Sequence, residues 1–155
     1  MRVTVAAVGR LGRAPEALLA KDWLDRATAS GRALALGPFE VVEVESRKPG
    51  KIAEAEALRA VLQPGDLVIA CDERGTAHPS RAFSERLAAL RDGGERRIVF
   101  LIGGADGLDP ALAASDRERI AFGPATWPHA LARAMLCEQL YRAVTLLAGS
   151  PYHRD

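Results

Sequence analysis

A chain of 155 residues has room for about one domain, and a chain of this length typically buries roughly 68 to 70 % of its unfolded surface. Its 21 Lys and Arg against 20 Asp and Glu give a formal net charge of +1, which excludes a surface that is basic all over. A nucleic-acid partner must therefore be bound by a local patch. Two candidates are Arg47, Lys48 and Lys51 in SRKPGK, and His153 with Arg154 at the C-terminus, although each is also typical of a solvated loop or tail.

The two cysteines, Cys71 and Cys137, each lie in an apolar run and share no metal-ligand spacing. We therefore expect buried, reduced thiols in a cytoplasmic protein, with neither a disulfide nor a bound metal. The apolar run at the N-terminus is only about as long as a strand and lacks a cleavage site of small residues. We expect no signal peptide and no membrane span.

Short runs rich in β-branched residues alternate with longer stretches of helical periodicity. Strands are predicted at 2–8, 39–44, 66–71, 97–102 and, more weakly, 119–122. Helices are predicted at about 14–30, 52–62 and 80–92, with a short one from Pro110 and a long one from Pro128 to Ala148. This alternation favours a mostly parallel sheet flanked by helices on both faces, so the fold class is α/β. Since there are no repeats and no long linkers, residues 1–155 are expected to form a single domain.

Two of the later helices carry capping signals. Asp109 precedes Pro110, and Thr126 or Trp127 precedes Pro128. In each case the polar or flanking residue is expected at the N-cap and the proline at the first helical position.

Ligands of open α/β sheets bind at the carboxyl ends of strands, so the loops after the last three strands are the candidate site. They read CDERG (71–75), IGGADGL (102–108) and FGPATWP (122–128). Glycines at 103, 104 and 107 let the backbone approach a ligand closely, which suits adenosine or a nucleotide, although a tight structural turn explains them equally well. The spacing fits neither a P-loop nor a dinucleotide fingerprint, which argues against a nicotinamide-dependent enzyme.

Three polar residues in these loops have more than one possible role. Asp72 and Asp106 suit ribose hydroxyls or caps of their own turns, and caps are the commoner use. His129 suits a base, a phosphate contact or a structural hydrogen bond at a helix start. The sequence has no Ser-His-Asp order, zinc spacing or close carboxylate pair that would indicate a hydrolase.

The long helix has two apolar stripes where a surface helix normally has one. The first comprises Leu131, Met135, Leu140, Val144 and Leu147, and the second Ala130, Ala134, Cys137 and Tyr141. One stripe is expected to pack on the sheet and the other on a partner, most simply the same helix of a second subunit. Glu138 and Arg142, spaced i,i+4, predict a surface ion pair. The alternative is that Arg133 and Arg142 face a shared cleft.

Three motifs occur in this order along the chain, namely LIGGADGL, TWPHALARAMLCEQLYRA and the terminal PYHR, and AAVG at 6–9 precedes them. Together they resemble the small bacterial SPOUT-class methyltransferases that modify N3 of a pseudouridine in 23S ribosomal RNA. The similarity spans essentially the whole chain. It implies a C-terminal trefoil knot, S-adenosylmethionine as cofactor, and a homodimer that acts on the helix 69 loop of the assembled ribosome. General rules of chain topology do not predict a knot, so the resemblance alone implies it.

The resemblance places the cofactor between the three strand-end loops. The implied cofactor-binding residues are Cys71, Gly103, Gly104, Phe122, Gly123, Pro124, Ala125, Thr126 and Trp127. This chain has AFGPAT where relatives carry a serine-containing run, so contacts from that segment are expected from the backbone. Cys71 stands where relatives usually have an aliphatic residue, and it should pack as a small hydrophobe.

The resemblance also places Tyr152, His153 and Arg154 near the target base together with Arg133, Arg142 and His129, the tail of one subunit completing the pocket of the other. His153 is the implied general base, because histidine is the side chain that changes charge near neutral pH. Arg154 or Arg142 would stabilise the deprotonated ring, and Tyr152 or Trp127 would stack on it. The competing class is a non-catalytic dimeric module that binds RNA or a nucleotide, against which the intact glycine loop and tail argue.

Overall fold

The computed structural model describes residues 1–114 and 118–153. The five strands are β1 (Arg2–Val8), β2 (Phe39–Val44), β3 (Leu67–Ala77), β4 (Arg97–Ile102) and β5 (Glu118–Ala121). The helices are α1 (Pro15–Gly31), α2 (Lys51–Arg59), α3 (Ser80–Asp92), α4 (Pro110–Ala114) and α5 (His129–Leu147), with a short 3-10 helix at Arg32–Leu34. One sheet contains the strands in the order β2-β1-β4-β3-β5, with every pairing parallel. The predicted α/β class is confirmed, and the trefoil knot stays a prediction.

The sheet is covered on both faces, as the apolar runs of its strands predict. Val3 and Val5 of β1 belong to the core shared with α1, α3 and α5, whereas Ala6 and Val8 belong to the core shared with α2 and α4. This alternation follows from the two-residue repeat of a strand. Within the described residues, no helix is long and apolar enough to cross a membrane.

The observed strands agree with the predicted ones to within about a residue except for β3, which continues to Ala77. Residues 72–75 were predicted as a loop, and this is wrong. Cys71 and Thr76 both pair with Ile120 of β5, so the residues between them form a wide bulge inside a strand that remains paired. Gly75 permits this arrangement, because a Cβ there would lie 2.6 Å from the carbonyl carbon of Ile120.

The capping predictions have different outcomes. Asp109 is the N-cap of α4, since its Oδ1 accepts hydrogen bonds from the backbone N–H groups of Ala111 at 3.0 Å and Leu112 at 3.2 Å. The prediction for α5 is wrong, because the helix begins at His129 and an extended Pro128 stands at the N-cap with no side-chain cap. The side chain of Thr126 donates a hydrogen bond elsewhere, as described below.

Helix α5 packs between α1 and α3 and against the sheet. Its buried apolar residues are Ala134, Leu136, Cys137, Leu140, Ala143 and Val144. Leu131 remains 37 % exposed and Met135 is half-buried. The buried set therefore mixes members of both predicted stripes, and the division into stripes is corrected. A helix enclosed on three sides buries most of its circumference, so periodicity alone does not separate its faces.

Candidate functional site

A cleft of about 740 Å³ opens at the carboxyl ends of β3, β4 and β5. Three segments surround it, namely Cys71 with the first residues of the bulge (71–74), the glycine loop at 102–108 and the loop before α5 at 122–128. Parallel strands bring their carboxyl ends to one edge of a sheet, which is why loops distant in sequence meet here. The candidate site is therefore this cleft.

Most of the predicted cofactor-binding residues line the cleft. They are Cys71, Gly103, Gly104, Phe122, Gly123, Ala125, Thr126 and Trp127. Pro124 lies in the same loop and is exposed, but it is not one of the lining residues. His129 of α5 and Lys51 of α2 complete the wall.

Gly103 and Gly104 lack side chains for different reasons. A Cβ on Gly103 would lie 2.5 Å from the carbonyl carbon of Gly107, because the loop folds back on itself there. The backbone N–H of Gly107 donates to the carbonyl of Gly104 at 3.0 Å, and Gly107 has a φ of +80°. A Cβ on Gly104 would instead lie 2.8 Å from Oε1 of Glu54. The tight-turn interpretation is thus confirmed for this loop, and the turn also forms a wall of the cleft.

The sequence did not indicate a role for Glu54 of α2, because a glutamate in a charged helix is normally exposed to solvent. In the fold, its carboxylate lies behind Gly104, and its Oε2 is buried with no hydrogen-bond partner in the described part of the chain. Burying an unpaired carboxylate is costly. The structure therefore leaves one oxygen of this half-buried glutamate without a partner behind the glycine loop.

Two acidic residues of the β3 bulge have local partners. Oδ1 of Asp72 accepts a hydrogen bond from the backbone N–H of Arg74 at 2.8 Å, so Asp72 caps its own turn. Oε2 of Glu73 accepts a hydrogen bond from Oγ1 of Thr126 at 3.1 Å, which joins the bulge to the loop before α5. The indole N–H of Trp127 donates to the carbonyl of Phe122 at 3.0 Å. These contacts close the rim of the cleft between β3 and β5.

The cysteines behave as packing residues. Both thiols are free. Burial raises the pKa of the Cys71 thiol far above its usual range, and it raises the pKa of Cys137 to about 12. A thiol that stays protonated is a poor nucleophile, so neither cysteine is suited to covalent catalysis. Within residues 1–114 and 118–153, no three His, Cys, Asp or Glu side chains are grouped so that they could hold a metal ion.

Arg133 does not lie in the cleft, contrary to prediction. Its side chain is 1 % exposed, and its Nη1 donates to Oε1 of Glu43 at 2.7 Å. Its Nη2 donates to the carbonyls of Val8 at 3.1 Å and Gly9 at 2.9 Å. Arg133 thus fastens α5 to the ends of β1 and β2, and the alternative in which it shares a cleft with Arg142 is wrong. A lone arginine in an apolar helix gives no indication of which strand carbonyls it will reach.

The C-terminal tail is held against α5 by a single carboxylate oxygen. Oε1 of Glu138 accepts hydrogen bonds from Nε of Arg142 at 2.9 Å, from its Nη2 at 2.7 Å and from the hydroxyl of Tyr152 at 3.1 Å. The Arg142 guanidinium lies over the Tyr152 ring, 5.2 Å from its centroid. The ring of Tyr141 packs against that of Tyr152, with 4.6 Å between the two ring centroids. The predicted i,i+4 pair is confirmed, although it is part of a larger cluster.

This cluster shifts two ionisation equilibria. The hydrogen bonds from Arg142 to Glu138 raise the pKa of the guanidinium, so Arg142 is charged at every physiological pH. Burial, followed by the nearby Glu138 carboxylate, raises the pKa of the Tyr152 phenol. The ring of His153 is half-buried, and its Nδ1 has no hydrogen-bond partner among the described residues. Arg154 lies outside the described residues.

Comparison with known proteins identifies the family. The family described as "Predicted SPOUT methyltransferase" matches residues 1–153. The chain belongs to the SPOUT methyltransferase family. It is 70 % identical over 155 residues to Ribosomal RNA large subunit methyltransferase H of Phenylobacterium zucineum, with all of both chains covered. It is 66 % identical to the protein of the same name from Caulobacter vibrioides, with 100 % of this chain and 99 % of the relative covered.

Solved structures agree on the fold. A probable methylase family protein of Haemophilus influenzae superposes with a TM-score of 0.53 at 12 % identity, covering 99 % of this chain and 70 % of that one. A probable methyltransferase of Bordetella pertussis superposes with a TM-score of 0.52 at 16 % identity, covering 92 % of this chain and 96 % of that one. At these identities the likeness concerns the fold of the SPOUT methyltransferase alone.

The tail and the cleft of this SPOUT methyltransferase are separate within one chain. Arg142, Tyr152 and His153 are not among the residues that line the cleft. Glu138 instead borders a second cavity of about 390 Å³, with Trp23 and Leu19 of α1 and with Leu131 and Met135 of α5. Phe122 and Gly123 form the wall between the cavity and the cleft. The structure thus brings most of the residues predicted to bind the cofactor to one cleft, and it leaves Arg142, Tyr152 and His153 outside that cleft.

Proposed function

We propose that this SPOUT methyltransferase transfers a methyl group from S-adenosylmethionine to N3 of a pseudouridine in the helix 69 loop of 23S ribosomal RNA, with the assembled ribosome as substrate. The observation that carries the proposal is the cleft at which the three strand-end loops meet. Two relatives at 66 and 70 % identity carry the name of a large-subunit ribosomal RNA methyltransferase, which supports the class of substrate. The resemblance of the sequence motifs supports the nucleotide, the ring position and the cofactor.

The lining of the cleft suits S-adenosylmethionine. Its walls combine glycine backbone at 103 and 104 with the apolar side chains of Ile102 and Phe122, which suits an adenine ring. The Oε2 atom of Glu54 is buried behind the glycine loop and has no hydrogen-bond partner among the described residues, and S-adenosylmethionine carries two positive groups, a sulfonium and an ammonium. The sulfonium and the ammonium are the groups of the cofactor that a carboxylate attracts.

The catalytic task is to place N3 in line with the methyl group and to remove its proton. When bound, S-adenosylmethionine supplies an electrophilic methyl group on a positively charged sulfur. In the proposed mechanism the imidazole of His153 accepts the N3 proton. Arg142 and Arg154 stabilise the negative charge that develops on the ring oxygens. Tyr152 stacks on the base.

Because the tail lies outside the cleft of its own chain, we propose that the active unit is a homodimer in which one subunit supplies the cleft and its partner the tail. The face around the second cavity suits such a dimer. Leu19 and Leu131 line this cavity and are 46 and 37 % exposed, and Leu18, next to Leu19 in α1, is 61 % exposed. Exposed apolar side chains beside an apolar cavity support an interface at this place.

The first experiment is calorimetric titration of the purified protein with S-adenosylmethionine, followed by methyl transfer to ribosomes that lack the modification. We expect one saturable site, and mass spectrometry of the digested RNA should show one methyl group on a pseudouridine of the helix 69 loop. Absence of cofactor binding would contradict the cofactor assignment and favour the non-catalytic binding module. Methylation of another nucleotide would contradict the choice of substrate alone.

A second experiment separates the two halves of the proposed site. Gly103→Trp is expected to abolish cofactor binding, and His153→Ala to abolish methyl transfer while leaving cofactor binding intact. If each active site takes its tail from the other subunit, mixing the two inactive variants restores activity in heterodimers that retain one intact cleft and one intact tail on opposite chains. No recovery after confirmed subunit exchange would contradict the shared site.

A further inference from the structure

Next to the cleft, the loops after β1 and β2 carry several positively charged side chains. Arg13 lies in the loop between β1 and α1, Arg47 and Lys48 lie in the loop between β2 and α2, and Lys51 is the first residue of α2. All four side chains are exposed. We call these four residues the basic shelf.

The fold brings the two loops of the basic shelf together. β1 and β2 are paired from Val3 and Phe39 to Val8 and Val44, so both loops leave the same edge of the sheet. The backbone N–H of Leu11 donates to Oε1 of Glu43 at 3.1 Å, which joins the first loop to the end of β2.

Local acidic residues do not neutralise the basic shelf. Glu43 is engaged by Arg133 at 2.7 Å, and Glu45 by Arg10 at 3.0 Å. None of the four cations of the shelf forms an ion pair with a residue in the described ranges 1–114 and 118–153. At physiological salt, charges further away than about 8 Å are largely screened. The local excess of positive charge therefore matters more for binding than the near-neutral net charge of the whole chain.

The shelf is continuous with the cleft on two sides. Lys51 belongs to both, because it also lines the cleft. The second point of contact is Gly9, at the start of the β1–α1 loop. A Cβ on Gly9 would lie only 3.9 Å from Nε2 of His129, which lines the cleft. A polyanion lying on the shelf would therefore extend directly to the place where a base could enter.

We propose that the basic shelf binds the phosphates of the RNA strand that flanks the target nucleotide, an inference that rests on the proposed function. Phosphate contacts of lysine and arginine fix the position of a nucleic acid without reading its sequence. A chain with a net charge of +1 needs such a patch to hold RNA at all. The shelf positions the strand, and the cleft and tail act on one base of it.

The test compares two triple variants of equal charge. The shelf variant carries Arg13→Gln, Arg47→Gln and Lys48→Gln, and it leaves Lys51 of the cleft unchanged. The control variant carries Arg32→Gln, Arg59→Gln and Arg96→Gln, which are exposed positions after α1, at the end of α2 and before β4. These three lie at the opposite edge of the sheet. Each variant takes the formal net charge from +1 to −2, since three cations are removed.

The measurement is the binding of each protein to purified large ribosomal subunits as a function of salt concentration. Each lost phosphate contact lowers the slope of log K against log salt by about 0.7 to 0.9, so we expect the shelf variant to lose about two units and the control variant less than about one. Equal slopes for the two variants would overturn the proposal, as would binding of the wild-type protein that does not depend on salt.

Calorimetry with S-adenosylmethionine on the same three proteins keeps this proposal apart from the proposed function. We expect equal cofactor affinities, because the substituted residues lie outside the cleft. Suppose that none of the three proteins binds the cofactor, but that ribosome binding loses its salt dependence in the shelf variant alone. That result would contradict the cofactor assignment and support the role of the basic shelf. If all three proteins bind the cofactor and show equal slopes of log K against log salt, the role of the basic shelf is contradicted and the cofactor assignment is supported.

Discussion

Glu138 and Tyr152 join the C-terminal tail to the middle of α5. The Tyr152 hydroxyl donates to Oε1 of Glu138 at 3.1 Å, and the same oxygen accepts both hydrogen bonds of Arg142. One glutamate oxygen therefore sets the position of two of the proposed catalytic residues. Glu138 itself was predicted only as the partner of Arg142, so its link to the tail comes from the fold.

We expect Glu138→Gln to lower methyl transfer by at least about tenfold, because an uncharged amide holds a guanidinium and a phenol more weakly than a carboxylate does. The loss should appear mainly in kcat. Cofactor affinity, measured by calorimetry, should remain unchanged, since Glu138 does not line the cleft. Glu85→Gln, at an exposed position of α3, is the matched control. A Glu138→Gln enzyme with wild-type kcat would remove Glu138 as a positioning residue.

Arg133 and Glu43 form the most buried ion pair of α5, and we expect its removal to cost stability. Arg133→Met removes the donor of two strand carbonyls and leaves Glu43 with the Leu11 N–H alone. We expect the free energy of unfolding to fall by about 3 kcal/mol, the lower end for a buried pair, because the Glu43 side chain is 31 % exposed. Urea denaturation measures the change. Arg10→Met, which breaks an exposed pair with Glu45, should cost less than about 1 kcal/mol. Equal losses would contradict the structural role of Arg133.

How far the sequence predicts the fold depends on the range of the interactions involved. Most strands and helices follow from local periodicity and turn residues and match closely, although α2 ends at Arg59, three residues before its predicted end. The bulge of β3 does not, because its pairing with Ile120 is set by a strand more than forty residues away. The start of α5 was misplaced by one residue for a similar reason, since Thr126 bonds to Glu73 of the bulge instead of capping the helix.

The site divides in the same way. The cleft was predictable, because glycine and proline mark strand-end loops and parallel strands gather those loops at one edge. The partners of Arg133 and the burial of the Glu54 Oε2 atom were not predictable, because a charged residue in a helix has no local signature of the groups that its side chain will contact. The separation of the tail from the cleft is likewise a property of the three-dimensional path of the chain.

The two adjacent glycines of the cleft should differ in their tolerance of a side chain. Gly103→Ala places a Cβ against backbone atoms at 2.5 to 2.7 Å, which only movement of the loop could relieve. Gly104→Ala meets the Glu54 carboxylate at 2.8 Å, the end of a flexible side chain. We therefore expect Gly103→Ala to weaken cofactor binding at least about tenfold, and Gly104→Ala to be partly rescued by Glu54→Ala. Calorimetry and urea denaturation of the single and double variants measure both effects, and a rescue of Gly103→Ala by Glu54→Ala would contradict this assignment.

The phenol of Tyr152 should ionise at a higher pH in the folded protein than in the unfolded chain, because burial and Glu138 raise its pKa. A raised pKa means that the folded state holds this proton more tightly. Its contribution to stability is therefore complete below the pKa of an unfolded tyrosine and is lost as the pH rises from that value through the folded one. The difference between the phenolate titrations of the wild type and Tyr152→Phe isolates this group. An ionisation at or below the unfolded value would contradict the buried position of the ring.

Cys71 reports on the cleft without any need for activity. Its thiol lines the cleft and has a raised pKa, so a maleimide should label the folded protein slowly at neutral pH. Unfolding in guanidinium should expose both cysteines of the chain to rapid labelling. In a Cys137→Ser variant, saturating S-adenosylmethionine should slow the labelling of Cys71 further, because the bound cofactor covers it. The matched Cys71→Ser variant, which retains only the buried Cys137, should show no such protection. Labelling of Cys71 at an unchanged rate, under conditions where calorimetry shows the cofactor to be bound, would place the cofactor away from the end of β3.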